Sequence, residues 1–139
     1  MKPILILFLS ILFSQGYTQE RSYSVSGRVN VFSRTGDVYV FLATDSTFHQ
    51  PFSGIDTLVF PVNRNKSSVE YSFENVQPGR YALSCFQDRN GNGTFDHFLI
   101  FPLEPWAFTY FTEVRYPPKF EEISFMVADD YRINMKMGR

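Results

Sequence analysis

NVQPGRYALSCFQDRNGNGTFD, residues Asn75 to Asp96, runs from a turn through a strand into a loop crowded with side-chain oxygens. Pro78 fixes φ near the value that the second position of a turn needs, and Gly79 is expected to supply the positive φ that follows. From Arg80 to Gln87 the side chains alternate, with Tyr81, Leu83 and Cys85 toward one face and Ala82, Ser84 and Phe86 toward the other. Both sets are largely apolar, so this strand belongs in the middle of a sheet covered on both sides. Asp88, Asn90, Asn92, Thr94 and Asp96 then recur at every second position, and Gly91 and Gly93 between them let the backbone curl.

Upstream of this stretch, Tyr23, Val25, Gly27, Val29 and Val31 alternate with Ser24, Ser26, Arg28 and Asn30, which predicts a strand with one buried and one wet face. Val38 to Ala43 (VYVFLA) reads as a second strand, apolar on both faces, and the Arg34-Thr35-Gly36-Asp37 turn suggests that the two form a hairpin. Thr44 to Asp56 is polar and broken by Pro51 and Gly54, a long surface loop carrying His49 and Gln50. Pro61 within Leu58 to Val62 cannot donate to a ladder, which places that strand at an edge. Val69, Tyr71 and Phe73 alternate with Glu70, Ser72 and Glu74 and lead into the Pro78-Gly79 turn.

Downstream, Phe98 to Phe101 (FLIF) is an apolar run, and Trp106, Phe108 and Tyr110 form an aromatic row with Phe111 and Tyr116 nearby. Ile123, Phe125 and Val127 predict a strand, Asp129-Asp130 a turn, and Tyr131, Ile133, Met135 and Met137 a last strand. No stretch sustains a helical period. Seven or eight short strands separated by turn signals predict a single all-β domain, an antiparallel β-sandwich of the immunoglobulin-like or transthyretin-like kind.

Residues 1–18 read as a secretory signal peptide: Lys2, an apolar run from Pro3 to Phe13, and small residues at Ser14 and Gly16. As a helix that run reaches only about 16 Å, short of the roughly 30 Å hydrocarbon core, so no membrane insertion is expected after cleavage. The sandwich then occupies residues 19–139. Cys85 is the sole cysteine, which leaves no anchor for a lipid at the new amino terminus and no internal disulfide. The expected location is the periplasm or the medium. Without Lys2 the chain has one base fewer than the 13 of the whole sequence, against 14 acids, and no basic run, so nucleic acid is not an expected partner. Stability must come from a core that 16 phenylalanines and 8 tyrosines can fill.

Two resemblances follow from these residues. Phe73 to Leu83 (FENVQPGRYAL) is similar to the turn and strand of transthyretin-like and carboxypeptidase-regulatory-like sandwich domains, which implies a fold and no activity. More extensively, the chain resembles the secreted bacterial family known as domain of unknown function 2141, with its pattern PPGxYAxxxxHDxNGNGxxD followed by FLGxPxExxGFS and PxFxxAxF. Pro78, Gly79, Tyr81, Ala82, Asp88, Asn90, Gly91, Asn92, Gly93 and Asp96 match the first part. Phe98, Leu99, Pro102, Glu104 and Phe108 match the second, and Pro118, Phe120 and Phe125 the third. Gln87 stands where the family often has histidine, and Ile100, Pro105 and Ala107 where it usually has glycine. The resemblance implies an exported β-sandwich and leaves activity open.

The chemistry concentrates in the loop. Asp88, Asn90, Asn92, Gly93, the Thr94 carbonyl and Asp96 follow the first nine positions of an EF-hand, and hard oxygen ligands suit calcium. Leu99 holds the twelfth place, where a bidentate glutamate would complete the shell, so calcium would bind weakly, with Kd about 10⁻⁴ to 10⁻³ M, unless Glu104 folds back as a third carboxylate. Equally, Asn-Gly pairs make turns, and Asp and Asn bond to nearby backbone amides without any metal. His49 and His97 are too few for a transition-metal site. No nucleophile, zinc or phosphate motif occurs. The expectation is therefore a non-enzymatic binding or structural module of the cell envelope, whose partner is an envelope or surface protein or a glycan, with calcium as its one candidate cofactor. The alternatives are a small glycan hydrolase using Asp88, Asp96 and Glu104, which requires a deep pocket joining at least two carboxylates, and an accessory subunit of a surface complex.

Overall fold

The computed structural model describes residues 20–110 and 117–138. Residues 1–18, where a signal peptide is expected, and the aromatic residues Phe111 and Tyr116 lie outside the described residues. In chain order the strands are β1 (Tyr23–Asn30), β2 (Gly36–Ala43), β3 (Asp56–Val62), β4 (Ser68–Val76), β5 (Gly79–Asp88), β6 (His97–Phe98), β7 (Phe101–Pro102) and β8 (Trp106–Phe108). A one-turn helix α1 (Phe120–Ile123) precedes β9 (Ser124–Val127), β10 (Tyr131–Arg132) and β11 (Met135–Lys136).

These strands form two main sheets and a small hairpin. In the first sheet β1 pairs antiparallel with β4 on one side and parallel with β10 and β11 on the other. In the second the order is β3, β2, β5, and along the far edge of β5 lie β9 and β8, one opposite each half. β5 is therefore central, with Ala82 to Asp88 all buried, as its two apolar faces require. β3 is at the edge, where Pro61 sits opposite Asp37 without breaking a shared ladder.

The inner faces of the sheets meet in one core. Val25 and Val29 from β1, Val69, Tyr71 and Phe73 from β4, Val38, Val40 and Leu42 from β2, and Leu83 and Cys85 from β5 are its centre, closed by Phe125, Val127, Met135 and Met137. A second, smaller cluster covers the outer face of β5, where Ala82, Phe108, Phe120 and Ile123 pack with Phe48, Phe52 and Trp106. Residues 44–55 are irregular, as their composition implies, yet two of their phenylalanines are half-buried against that outer face.

Several expectations need correction. β1 and β2 are not a hairpin: they lie in different sheets, and residues 31–35 turn the corner between them. Gln87 holds that corner. Its side chain is fully buried, accepts the Ser33 N–H at 2.9 Å and donates to the carbonyls of Ser33 (2.7 Å) and Thr35 (3.0 Å), so the residue that departs from the family's histidine is fully engaged. The left-handed residue near Pro78 is Asn75 (φ +59°), at the bulge where the register of β4 against β1 shifts, and Gly79 begins the strand outright. Ile123 closes α1 instead of opening β9. The last strand divides at Ile133 and Asn134 because the Ile133 carbonyl passes over Gly27, where it accepts a 2.7 Å hydrogen bond from the Tyr71 hydroxyl.

Candidate functional site

The loop after β5 is built around Asp88, which is 2% exposed. Its Oδ1 accepts the N–H groups of Gly91 (2.7 Å) and Asn92 (3.3 Å), and its Oδ2 accepts that of Gly93 (2.7 Å). Gly91 and Gly93 both have φ of +75°, which is how the chain wraps round a single carboxylate. Asn90 and Asn92 each turn their carbonyl oxygens onto backbone N–H groups two residues on, at 3.1 and 3.0 Å. Their amide nitrogens donate to Asp96 Oδ2, at 2.6 and 2.9 Å. The sequence-predicted set Asp88, Asn90, Asn92, Thr94 and Asp96 is thus brought together.

Glu104 does fold back onto this loop. It is 4% exposed, and its two oxygens accept the N–H of Arg89 (2.9 Å) and of Asp96 (3.2 Å), closing the loop at both ends. Burial pushes its carboxyl above the usual range, the neighbouring Asp88 and Asp96 push the same way, and the two N–H bonds pull against them. Among the described residues no group of three or more His, Cys, Asp or Glu is placed to hold a metal ion. The candidate set would draw on carboxamide and carbonyl oxygens beside its carboxylates.

The loop delivers the chain into a finger. β6 and β7 pair as His97 with Pro102 and Phe98 with Phe101, and the Leu103 N–H donates to the Asp96 carbonyl at 2.9 Å, extending the ladder down to the loop. At the tip Phe98 is 66%, Leu99 73%, Ile100 68% and Phe101 63% exposed. Leu103, at the base, is also exposed. Leu99 adopts φ of +55°, a conformation that costs a leucine about 1–2 kcal/mol and that glycine or asparagine would take freely. Apolar composition alone does not separate such a finger from a core strand. The signal available in the sequence is the run's brevity between Asp96 and Pro102.

Seen from this geometry, the motifs of the chain stand in one arrangement: a central strand, an Asp-anchored loop, and a finger latched by Glu104. A match to the bacterial family described as "Uncharacterized protein conserved in bacteria (DUF2141)" spans residues 29–134 and so includes every one of these parts. The chain belongs to the DUF2141 family. Comparison with curated proteins and with solved structures gives no match. The DUF2141 region leaves out the first six residues of β1 and the last residues of the C-terminal segment, both of which the sandwich uses. No helix among the described residues is long and apolar enough to cross a membrane.

Trp106 and Phe108 of the aromatic row pack on the outer face of β5, while Tyr110 is half exposed. The row therefore divides. His49 and His97 are exposed and belong to separate segments.

Proposed function

We propose that this chain is an exported, non-enzymatic module of the cell envelope that docks onto an apolar groove of a partner protein through the β6–β7 finger. The observation that carries this reading is the tip itself: four consecutive apolar side chains, each more than three-fifths exposed, on a turn that includes a left-handed leucine. A protein partner is favoured over an anionic lipid surface because residues 90–110 contain no Lys or Arg, and Asp96 and Glu104 flank the finger. The loop acts as a mount, fixing where the finger leaves the sandwich. A binding role is further supported by the state of the acids. Both oxygens of Asp88 and of Glu104, and Oδ2 of Asp96, accept N–H groups, and the large cleft beside the loop has no carboxylate in its lining.

Calcium belongs to the same proposal. Asp88, Asn90, Asn92, the Thr94 carbonyl and Asp96 are the residues that would hold it, with the two carboxamides turned to present oxygen in place of nitrogen to the space beside Asp96. The ion would supply charge at the one carboxylate that side-chain amides now satisfy, and so stiffen the mount.

The test places a photo-crosslinking residue at position 99 in cells that export the protein, identifies the adduct, and reconstitutes the pair from purified components. One discrete protein adduct is expected, whose binding a Leu99→Ser, Ile100→Ser double substitution weakens at least about tenfold with the melting temperature unchanged. A finger that inserts into neutral vesicles, or crosslinks only to other copies of itself, would overturn the reading.

A further inference from the structure

Beside the loop, on the outer face of the second sheet, lies an open cleft of about 480 Å³, within the range that holds small molecules. Its floor is aromatic. The Tyr39 ring lies 4.9 Å from that of Phe86 with the planes 1° apart, and Phe41 continues the stack at 15° to Tyr39. Phe52 and Phe95 form a wall, 4.1 Å apart, each edge-on to Phe86. Phe52 holds its ring there from a left-handed backbone, φ +65°, which a bulky residue adopts only where its surroundings enforce it.

The rim is polar and carries no acid, lysine or arginine. Gln50, Thr57 and His97 stand around it with the Tyr39 hydroxyl, and none of these four side chains has a hydrogen-bond partner among the described residues. Hydroxyl, carboxamide and imidazole groups both donate and accept. A charged ligand entering this cleft would lose water and meet no counter-charge, which disfavours it strongly. A purely apolar ligand would use the rings and leave the rim idle. A pyranose uses both, since its C–H face is attracted to the negative face of an aromatic ring while its hydroxyls reach outward.

We propose that this cleft binds a neutral saccharide of one or two rings, stacked on Tyr39 against the wall of Phe52 and Phe95 and hydrogen-bonded by Gln50, Thr57 and His97. The site shares His97 with the base of the finger and none of the four exposed residues at its tip. It is coupled to the loop, because Gly93 and Thr94 line it while the Gly93 N–H is held by Asp88 and the Thr94 N–H by Asn92.

The experiment is an NMR titration of the chain from residue 19 with a panel of neutral disaccharides, a uronic-acid disaccharide and phenol. At least one neutral sugar is expected to give saturable shifts at Tyr39, Phe95 and His97, with the uronic acid and phenol at least about tenfold weaker. Phe95→Ala should abolish the shifts. Tyr39→Phe, which keeps the stack and removes only the hydroxyl, should weaken binding by about three- to tenfold in a fully folded protein. Silence of every neutral sugar into the millimolar range, phenol binding tighter than the sugars, or shifts that survive Phe95→Ala would each overturn the proposal. Leu99→Ser with Ile100→Ser should leave sugar binding intact, so loss of the partner and loss of the sugar are read separately.

Discussion

Gly27 lacks a side chain because another part of the backbone occupies the space: a Cβ built there would lie 1.7 Å from the Ile133 carbonyl oxygen and 2.8 Å from the Tyr71 hydroxyl. Gly27→Ala must therefore push the C-terminal segment off β1, and a loss of about 2–3 kcal/mol is expected by urea denaturation. The alternation of Tyr23 to Val31 marks Gly27 as inward-facing, but it gives no hint that the neighbour is a carbonyl more than a hundred residues on. Cys85 is legible from its place in the strand. It is fully buried, and burial pushes its thiol far above the usual range, so alkylation in native buffer should proceed only at the rate of global unfolding. A fast labelling phase would show an opening of the second sheet that its packing does not suggest. Tyr71 is shifted upward for the same reason, burial first. Both groups bind their protons more tightly folded than unfolded. Their contribution is thus complete below the ordinary values of 9 and 10 and is lost as pH rises past them. Stability measured from pH 8 to 11 should fall accordingly, and less steeply in Tyr71→Phe.

At the scale of elements, the loop and the finger behave as one unit joined at Asp96 and Glu104. Asp88→Ala removes three N–H···carboxylate bonds at once and is expected to cost about 3 kcal/mol. Glu104→Ala should loosen the finger more than the sandwich, seen as faster amide exchange confined to residues 89–103. If the loop holds calcium, several millimolar of the ion should raise the melting temperature by about 5 °C relative to chelator, and Asp88→Asn and Asp96→Asn should each abolish the rise. No shift would leave the loop held by its own hydrogen bonds. The spacing from Asp88 to Asp96 was enough to place this loop, because its bonds are local and its glycines announce the curl. The cleft was not legible in the same way. Tyr39, Phe52, Phe86 and Phe95 come from two strands, an irregular segment and the loop, and no short-range pattern joins them. VYVFLA, bulky on both faces, does imply an outer layer over β2; what it cannot specify is that this layer leaves part of Tyr39 uncovered.

For the whole molecule, the sandwich was predictable from strand periodicity, since each half-buried strand must find a facing sheet. The pairing was less so. A turn between β1 and β2 implied a hairpin, whereas the long-range demand of Gln87 and of the β1–β4 ladder sends β2 to the opposite sheet. The carboxyl-terminal segment runs parallel to β1 and then bridges across to the second sheet, where Gly138 and Trp106 exchange backbone hydrogen bonds at 3.0 and 3.1 Å. Sheet one therefore keeps an open edge along β1 until Tyr131 to Lys136 pair with it. β1 has a neighbour on both sides only once the segment from Tyr131 to Lys136 has been made and has crossed back to it. The seam between β1 and this segment joins residues more than a hundred positions apart, so it closes late in folding and sets the pace at which the first sheet is completed.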